Sequence, residues 1–220
     1  MAGKRKLTGK TRKIAYQMLH DVCSILDEQD IPYVLEAGTL LGVIREKRLL
    51  PWDTDVDLTI TADYADQLQK AIQQLENKGY RIKTRKYKQD LGPFNSGDAR
   101  IVKVQTRRFY FFKGYSLLDV FIKYKTGDKY YWMIDDKNPV IKCCPARFYE
   151  DRISHEFDGR LFTVPADYEG YLEYHYGKNW RTPIKNWDFR LDDSCEKEVL
   201  KVAVQSATTF FDQSPKNLLS

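Results

Sequence analysis

An acid sits where this chain can least accommodate one. In SLLDVFIKYK (116–125), Asp119 interrupts Leu117-Leu118 and Val120-Phe121-Ile122, a run of apolar residues that reads as a buried strand. A carboxylate inside such a strand is costly unless a partner meets it. A second stretch, PWDTDVDLTI (51–60), carries Asp53, Asp55 and Asp57 within five positions. Its alternation of acid and apolar residues predicts another strand, with Asp55 and Asp57 on one face and Val56, Leu58 and Ile60 on the other. Close carboxylates raise one another's pKa and cost stability. A divalent cation reverses that sign, because hard oxygen ligands around an ion turn repulsion into attraction. The pair and the lone acid together predict a carboxylate cluster for one or two metal ions, an arrangement suited to in-line displacement at phosphorus.

The remaining periodicities place these strands. Residues 11–29 repeat Ile14, Met18, Val22, Ile25 and Leu26 at helical spacing. IPYVLEA (31–37) reads as a strand, and GTLLGVIREK returns to helical spacing with Thr39 expected as the cap. Gly38 and Thr39 thus stand at a strand-to-helix junction, where backbone N–H groups favour an anion. A helix is expected over 63–79, ending at Gly79, then a run of strands through KYYWMI (129–134). RISHEFDGRLFTVP (152–165) predicts a hairpin turning at Asp158-Gly159, followed by helices over 165–177 and 193–211. Helices first and last with strands between them indicate an α+β fold, a mixed sheet flanked by helices with a helical C-terminal extension. The expected division is a catalytic core over 1–160 and a segment over 161–220 packed on it as one structural unit.

Composition bounds the function classes. The 220 residues are 42% hydrophobic and 30% charged, enough for a sizeable core, and no eighteen apolar residues run together. Cys23, Cys143, Cys144 and Cys195 match no zinc spacing and form a poor disulfide framework, so reduced thiols and a cytoplasmic location are expected. His155 and His175 have no ligand partner close in sequence and are assigned no metal role. The net charge is +5, concentrated in the N-terminal MAGKRKLTGKTRK and in 78–88. Basic residues beside fifteen tyrosines and eleven phenylalanines suit anionic phosphorylated substrates, an anionic membrane surface or nucleic acid. Peripheral contact with the inner membrane face through the basic N-terminus is one expectation, and nucleic acid is not expected as a partner.

EAGTLLGVIREKRLLPWDTDVDL (36–58) resembles the signature of the LicD family, in which G-T-L-L-G-x-x-R precedes I-P-W-D-D-D-I-D-L. FTVPADYEGYLEYHYGKNWRTP (162–183) is similar to a later segment of that family. The resemblance implies a nucleotidyltransferase-like fold of the polymerase-β superfamily. Asp55 and Asp57 match the metal-binding pair, and Asp119 matches a later acid followed by an aliphatic residue and Phe. Gly38 and Thr39 match the phosphate-facing turn, Arg45 the arginine after it, and Asp53 the first acid of the W-D run, with a substrate-side role. Thr54 departs from a third consecutive acid, and FIKYK lacks the Pro-Leu-Asp that often follows the later one, which leaves the substrate side unusual.

The implied activity is transfer of a phospho-alcohol, such as phosphocholine or phosphoribitol, from a CDP-linked donor to a hydroxyl of a glycan or sugar. Mg²⁺ or Mn²⁺ would be the cofactor, and Asp55, Asp57 and Asp119 the catalytic and metal-binding residues. Three rivals remain open at this point: nucleotidyl transfer from an NTP to a small hydroxylated molecule, a basic nucleic-acid-binding module in which the acids are incidental, and an inactive relative used as a scaffold, against which the intact Asp55, Asp57 and Asp119 argue. Tyr168, Tyr171, Tyr174, Tyr176 and Trp180 are expected mainly to pack, although aromatic faces would suit a choline cargo.

Overall fold

Strand β2 (Val56–Thr61) and strand β5 (Phe112–Thr126) run parallel, side by side, in the middle of the sheet. The computed structural model describes residues 5–109, 112–134, 140–184, 187–188, 192–195 and 197–198. β1 (Tyr33–Leu35) adds antiparallel to the outer edge of β2. β4 (Ala99–Arg108) pairs antiparallel with the first part of β5, and β3 (Arg81–Lys86) closes that side. The last residues of β5 pair with β6 (Lys129–Ile134), which is followed by β7 (Val140–Pro145) and the two-residue β10 (Lys197–Glu198). After the short helix α4 (Arg147–Glu150), a separate hairpin, β8 (Arg152–Phe157) and β9 (Arg160–Pro165), turns at Asp158-Gly159 as expected.

The apolar faces explain the layering. Val56, Leu58 and Ile60 of β2 and Leu118, Val120 and Ile122 of β5 alternate onto one side of the sheet and are buried. Helix α1 (Gly9–Glu28) packs there through Ala15, Met18, Leu19, Val22 and Leu26, and meets α3 (Ala65–Asn77) through its Leu68, Ala71 and Leu75 stripe. This α+β arrangement, a mixed sheet flanked by helices, is the expected fold class. All four cysteines are buried free thiols. No helix among the described residues is long and apolar enough to cross a membrane.

Several local expectations are revised. The helix after β1 is α2 (Ala37–Leu41), continued by a π-helical turn over Gly42–Glu46, and its N-cap is Glu36 rather than Thr39. Thr39 lies inside that helix because its hydroxyl is used elsewhere, accepting from the Asp57 backbone N–H at 2.8 Å. SLLDVFIKYK lies within a longer strand, the fifteen-residue β5, which opens at Phe112. VIKCCP (140–145) forms β7, a strand absent from the sequence reading because Lys142 and Pro145 break its apolar pattern. The helix α5 (Tyr168–Tyr176) forms as expected, capped by the Asp167 carboxylate accepting from Gly170 N at 2.9 Å. Of the helix expected over 193–211, Lys197–Glu198 is instead the strand β10 and residues 199–211 lie outside the described residues.

Candidate active site

Asp57 and Asp119 stand directly opposite each other in the parallel β2–β5 register, and Lys103 of β4 stands opposite Asp119 on its other side. Asp55, two residues before Asp57, projects to the same face. Asp55, Asp57 and Asp119 each offer a carboxylate oxygen within 4.8 Å of the others. The two strands named by sequence therefore converge because parallel pairing aligns their acids.

The electrostatics show what the convergence costs. Burial, then the negative charges of Asp53 and Asp119, push Asp55 up to about 7 against the opposing pull of Lys103 and a Thr54 hydroxyl. Asp57 is raised well above the carboxylate range by burial, then by Asp55, Asp119, Asp53 and Glu36. Burial raises Asp53 also, against the hydrogen bond it accepts from Thr54 N at 2.9 Å. Lys103 donates to Asp119 Oδ2 and is the positive partner the apolar strand required. Three hard oxygen donors crowded with one internal cation fit a divalent ion of the magnesium type.

The cluster opens into a cavity of about 570 Å³, within the range of small-molecule sites. Gly38, Arg45 and Asp53 line it. A Cβ on Gly38 would lie 2.3 Å from Asp53 Oδ2, so glycine is what lets the W-D turn close onto α2. Ala37 beside it holds a left-handed φ of +45°, and its N–H donates to Tyr171 Oη at 3.2 Å. Asp53 thus braces the turn, while the cluster of close donor oxygens comprises Asp55, Asp57 and Asp119. Arg45 is largely buried, its Nη1 donating to the Trp180 carbonyl at 2.9 Å and its Nε 3.3 Å from Glu46 Oε1. It holds the chain after α5 against the helix.

Residues that sequence reasoning missed form the floor of the cavity. Glu36, fully buried, accepts from Thr59 Oγ1 at 2.5 Å, from Lys123 Nζ at 3.0 Å and from the Tyr171 hydroxyl. Burial would raise its pKa, but Lys123, His175 and these hydrogen bonds outweigh that and hold it below the usual value. Lys123 Nζ also sits 3.7 Å from the centre of the Trp132 ring. Farther along, His175 Nδ1 lies 3.2 Å from Asp193 Oδ1, and Lys142 Nζ donates to Asp193 Oδ2 at 2.5 Å. Burial acts upward on Asp193, yet His175 and Lys142 hold it well below the carboxylate range. His175, Asp193 and Cys195 also offer donor atoms within 4.8 Å of one another, so His175 does have a partner, one eighteen positions away. A lysine within an apolar run was the readable signal for Lys123 and Lys142; Glu36 was signalled by the acid that ends YVLE.

The aromatic residues divide. Tyr171 bonds Glu36, and Tyr174 donates to the Cys143 carbonyl at 3.1 Å, so both are structural. Tyr176, Trp180 and Trp187 line the cavity, with Trp52 and Trp132. His155 stands beside the Tyr168 ring, on the β8–β9 hairpin.

Carboxylates from two parallel strands of a mixed sheet, facing a cavity walled by a glycine-bearing helix, define a site of the kind that handles phosphorus-containing substrates. The family profile described as LicD/FKTN/FKRP, nucleotidyltransferase domain, matches residues 30–167, and the chain belongs to that family. Human ribitol-5-phosphate transferase FKTN is 27% identical over 195 residues, covering 81% of this chain and 36% of that protein. An uncharacterized protein of Rickettsia typhi is 28% identical over 134 residues, covering 61% of this chain and 36% of its own length. One from Rickettsia prowazekii is 29% identical over 139 residues, covering 62% and 44%. The chain therefore spans less than half the length of these curated relatives. Among solved structures, the lincomycin-bound lincosamide adenylyltransferase LnuA aligns with a TM-score of 0.45 at 16% identity, covering 73% of this chain and 85% of that one. The complex of ANT(2")-Ia with adenylyl-2"-tobramycin aligns at 0.42 and 17%, covering 79% and 81%.

Proposed function

We propose that this chain is a metal-dependent phosphotransferase that moves a phospho-alcohol, such as phosphoribitol or phosphocholine, from a CDP-linked donor to a hydroxyl of a glycan or sugar. The observation that carries this reading is the convergence of Asp55, Asp57 and Asp119 at one end of a small-molecule cavity. Family membership supports the class of reaction, and the ribitol-5-phosphate transferase FKTN as a relative supports ribitol phosphate as one cargo.

Asp55 and Asp57 would hold Mg²⁺ or Mn²⁺, with Asp119 as the third carboxylate. Such an ion, when bound, neutralises a diphosphate and the charge that develops on a departing CMP. The other steps belong to the side chains. Lys103 fixes Asp119 Oδ2, which leaves Oδ1 to accept the proton of the attacking hydroxyl. Gly38 and Asp53 set the wall against which the donor lies, and Thr39 keeps the Asp57 backbone in place. Arg45 anchors Trp180 and shapes the cavity mouth. We assign the catalytic core to residues 1–160, with α5 of the following segment packed on it.

Incubation with CDP-ribitol, CDP-choline, CTP and ATP in the presence of Mg²⁺ tests the reading. CMP release from a CDP-alcohol that disappears in Asp55→Asn and Asp57→Asn is the expected result. Pyrophosphate release from an NTP would instead assign nucleotidyl transfer.

A further inference from the structure

The two most exposed aromatic side chains in the described part of the molecule sit together at the end of one hairpin. Phe109, directly after β4, is 73% exposed, and Phe112, the first residue of β5, is 67% exposed. Around them are Arg107, Arg108 and Lys113, all exposed, with Arg107 opposite Lys113 and Arg108 opposite Phe112 in the strand register. The Arg108 guanidinium lies 5.2 Å from the centre of the Phe109 ring. The basic N-terminal segment reaches the same hairpin: Arg5 Nη1 donates to the Tyr115 hydroxyl at 3.3 Å and stands 5.4 Å from the Tyr115 ring centre.

Exposed cations stand beside these rings, in neighbouring segments that are mostly basic, although Asp21 pairs Lys78 next to β3 and Lys103 is buried against Asp119. Residues 99–118 contain five basic residues and no acid, residues 1–20 contain six and no acid, and 78–88, which supplies β3 beside β4, contains six and no acid. The tip is also aimed by a local irregularity. The β4–β5 register shifts around Thr106, where Tyr115 N donates to Thr106 Oγ1 at 2.8 Å. A Cβ on Gly114 would fall 2.3 Å from that hydroxyl oxygen and 2.9 Å from the Thr106 carbonyl, so only glycine allows the strands to come this close. Bulges of this kind bend and twist a ribbon away from its sheet.

We propose that this hairpin tip seats the protein on an anionic lipid bilayer, with Phe109 and Phe112 entering at headgroup depth and Arg107, Arg108, Lys113 and Arg5 meeting lipid phosphates. Apolar rings at a tip with cations around them match the chemistry of a membrane interface. A second copy of the chain is a poor occupant, because two tips of the same positive sign repel each other. Nucleic acid calls for a groove that tracks a backbone, whereas these residues cluster at the paired ends of two strands. The tip and Asp119 lie on one strand, seven residues apart from Phe112 to Asp119, or about 20 Å at the usual strand rise. That spacing would hold the carboxylate site close above the bilayer surface. The proposal does not depend on the phosphotransferase reading.

Co-sedimentation of the full chain with phosphatidylserine/phosphatidylcholine vesicles, against phosphatidylcholine alone, tests it. The wild type is expected to bind only the anionic vesicles and to be released by salt. Phe109→Ser with Phe112→Ser, and separately Arg108→Ala with Lys113→Ala, are expected to weaken binding on the order of tenfold, with circular dichroism and melting midpoint unchanged. Because the four native cysteines are buried, Phe109→Cys supplies an accessible thiol for an environment-sensitive dye, whose emission is expected to shift blue on anionic vesicles. Absence of vesicle binding, equal binding to neutral vesicles, or wild-type binding by both double variants would overturn the proposal. So would a label that stays in water, or tip variants that alter only self-association or oligonucleotide binding.

Discussion

Glu36 Oε1 and Lys123 Nζ meet at 3.0 Å in the cavity floor, joining the residue after β1 to the last part of β5 across 87 residues of sequence. Both groups are buried, and Lys123 is the cation among the hydrogen-bond partners of Glu36, beside the hydroxyls of Thr59 and Tyr171. Removing one partner of a buried pair leaves an uncompensated charge. Lys123→Met is therefore expected to cost about 3–5 kcal/mol of unfolding free energy. Urea denaturation measures it, and adding Glu36→Gln should restore part of the loss.

The same pair sets an acid limit. Glu36 has a folded-state pKa below its ordinary value, so its contribution is present above the unfolded value of about 4.3 and disappears as pH falls through the folded value. Melting midpoints taken downward from pH 6 should fall less steeply in the Lys123→Met, Glu36→Gln double variant than in the wild type. Equal slopes would show that Glu36 titrates without this linkage.

The aspartate cluster has the opposite sign. Asp55 is raised to about 7 and Asp57 is raised well above its ordinary value. Their protonated forms favour the folded state, so stability without a cation is retained at low pH and lost as pH rises through about 7. Added Mg²⁺ or Mn²⁺ should raise the melting midpoint strongly at pH 8 and little at pH 5. Asp55→Asn should raise the metal-free midpoint at pH 8 and abolish most of the metal-induced shift; an undiminished shift in that variant would place the ion elsewhere.

Two glycines near the site differ in what they would tolerate. Alanine at 38 meets the Asp53 carboxylate, a side-chain end that can turn away by giving up its bond to Thr54 N. At 42 it meets the Arg48 carbonyl at 2.6 Å and Leu50 N at 3.2 Å, both backbone. Gly42→Ala is expected to destabilise by about 1–3 kcal/mol and Gly38→Ala by less, while Gly38→Ala should lower turnover because the Asp53 turn moves. Chemical denaturation beside a CMP-release assay separates the two effects.

Lys103 offers a test of the internal countercharge. Lys103→Met removes the cation that meets Asp119 and should lower the stability of the metal-free protein. Metal affinity should rise, since one positive charge no longer competes at the cluster. Isothermal titration with Mn²⁺ reads the affinity, and a weaker Mn²⁺ interaction in the variant would contradict this account.

The acids of the site were legible because strand periodicity is local. Asp55 and Asp57 are two residues apart, so the pleat alone puts them on one face, and Asp119 declared itself by standing in an apolar run. The fold class followed from the order of periodic segments in the same way. Thr39 is not the cap that the local pattern predicts, and its hydroxyl accepts instead from a backbone N–H eighteen residues away. β7 was missed because Lys142 looks like a solvent residue until Asp193 is brought to it.

Local alternation alone commits β2 and β5 to carry acids. Long-range packing sets the register that Asp57 and Asp119 share, the contact of Lys103 with Asp119, the approach of Asp53 to Gly38, and the buried ionic networks of Glu36 and Asp193 beside the cavity. The reason is physical: side-chain direction follows from neighbouring dihedrals, whereas the partner of a buried charge depends on which distant segments the packed core brings within a few ångströms of it.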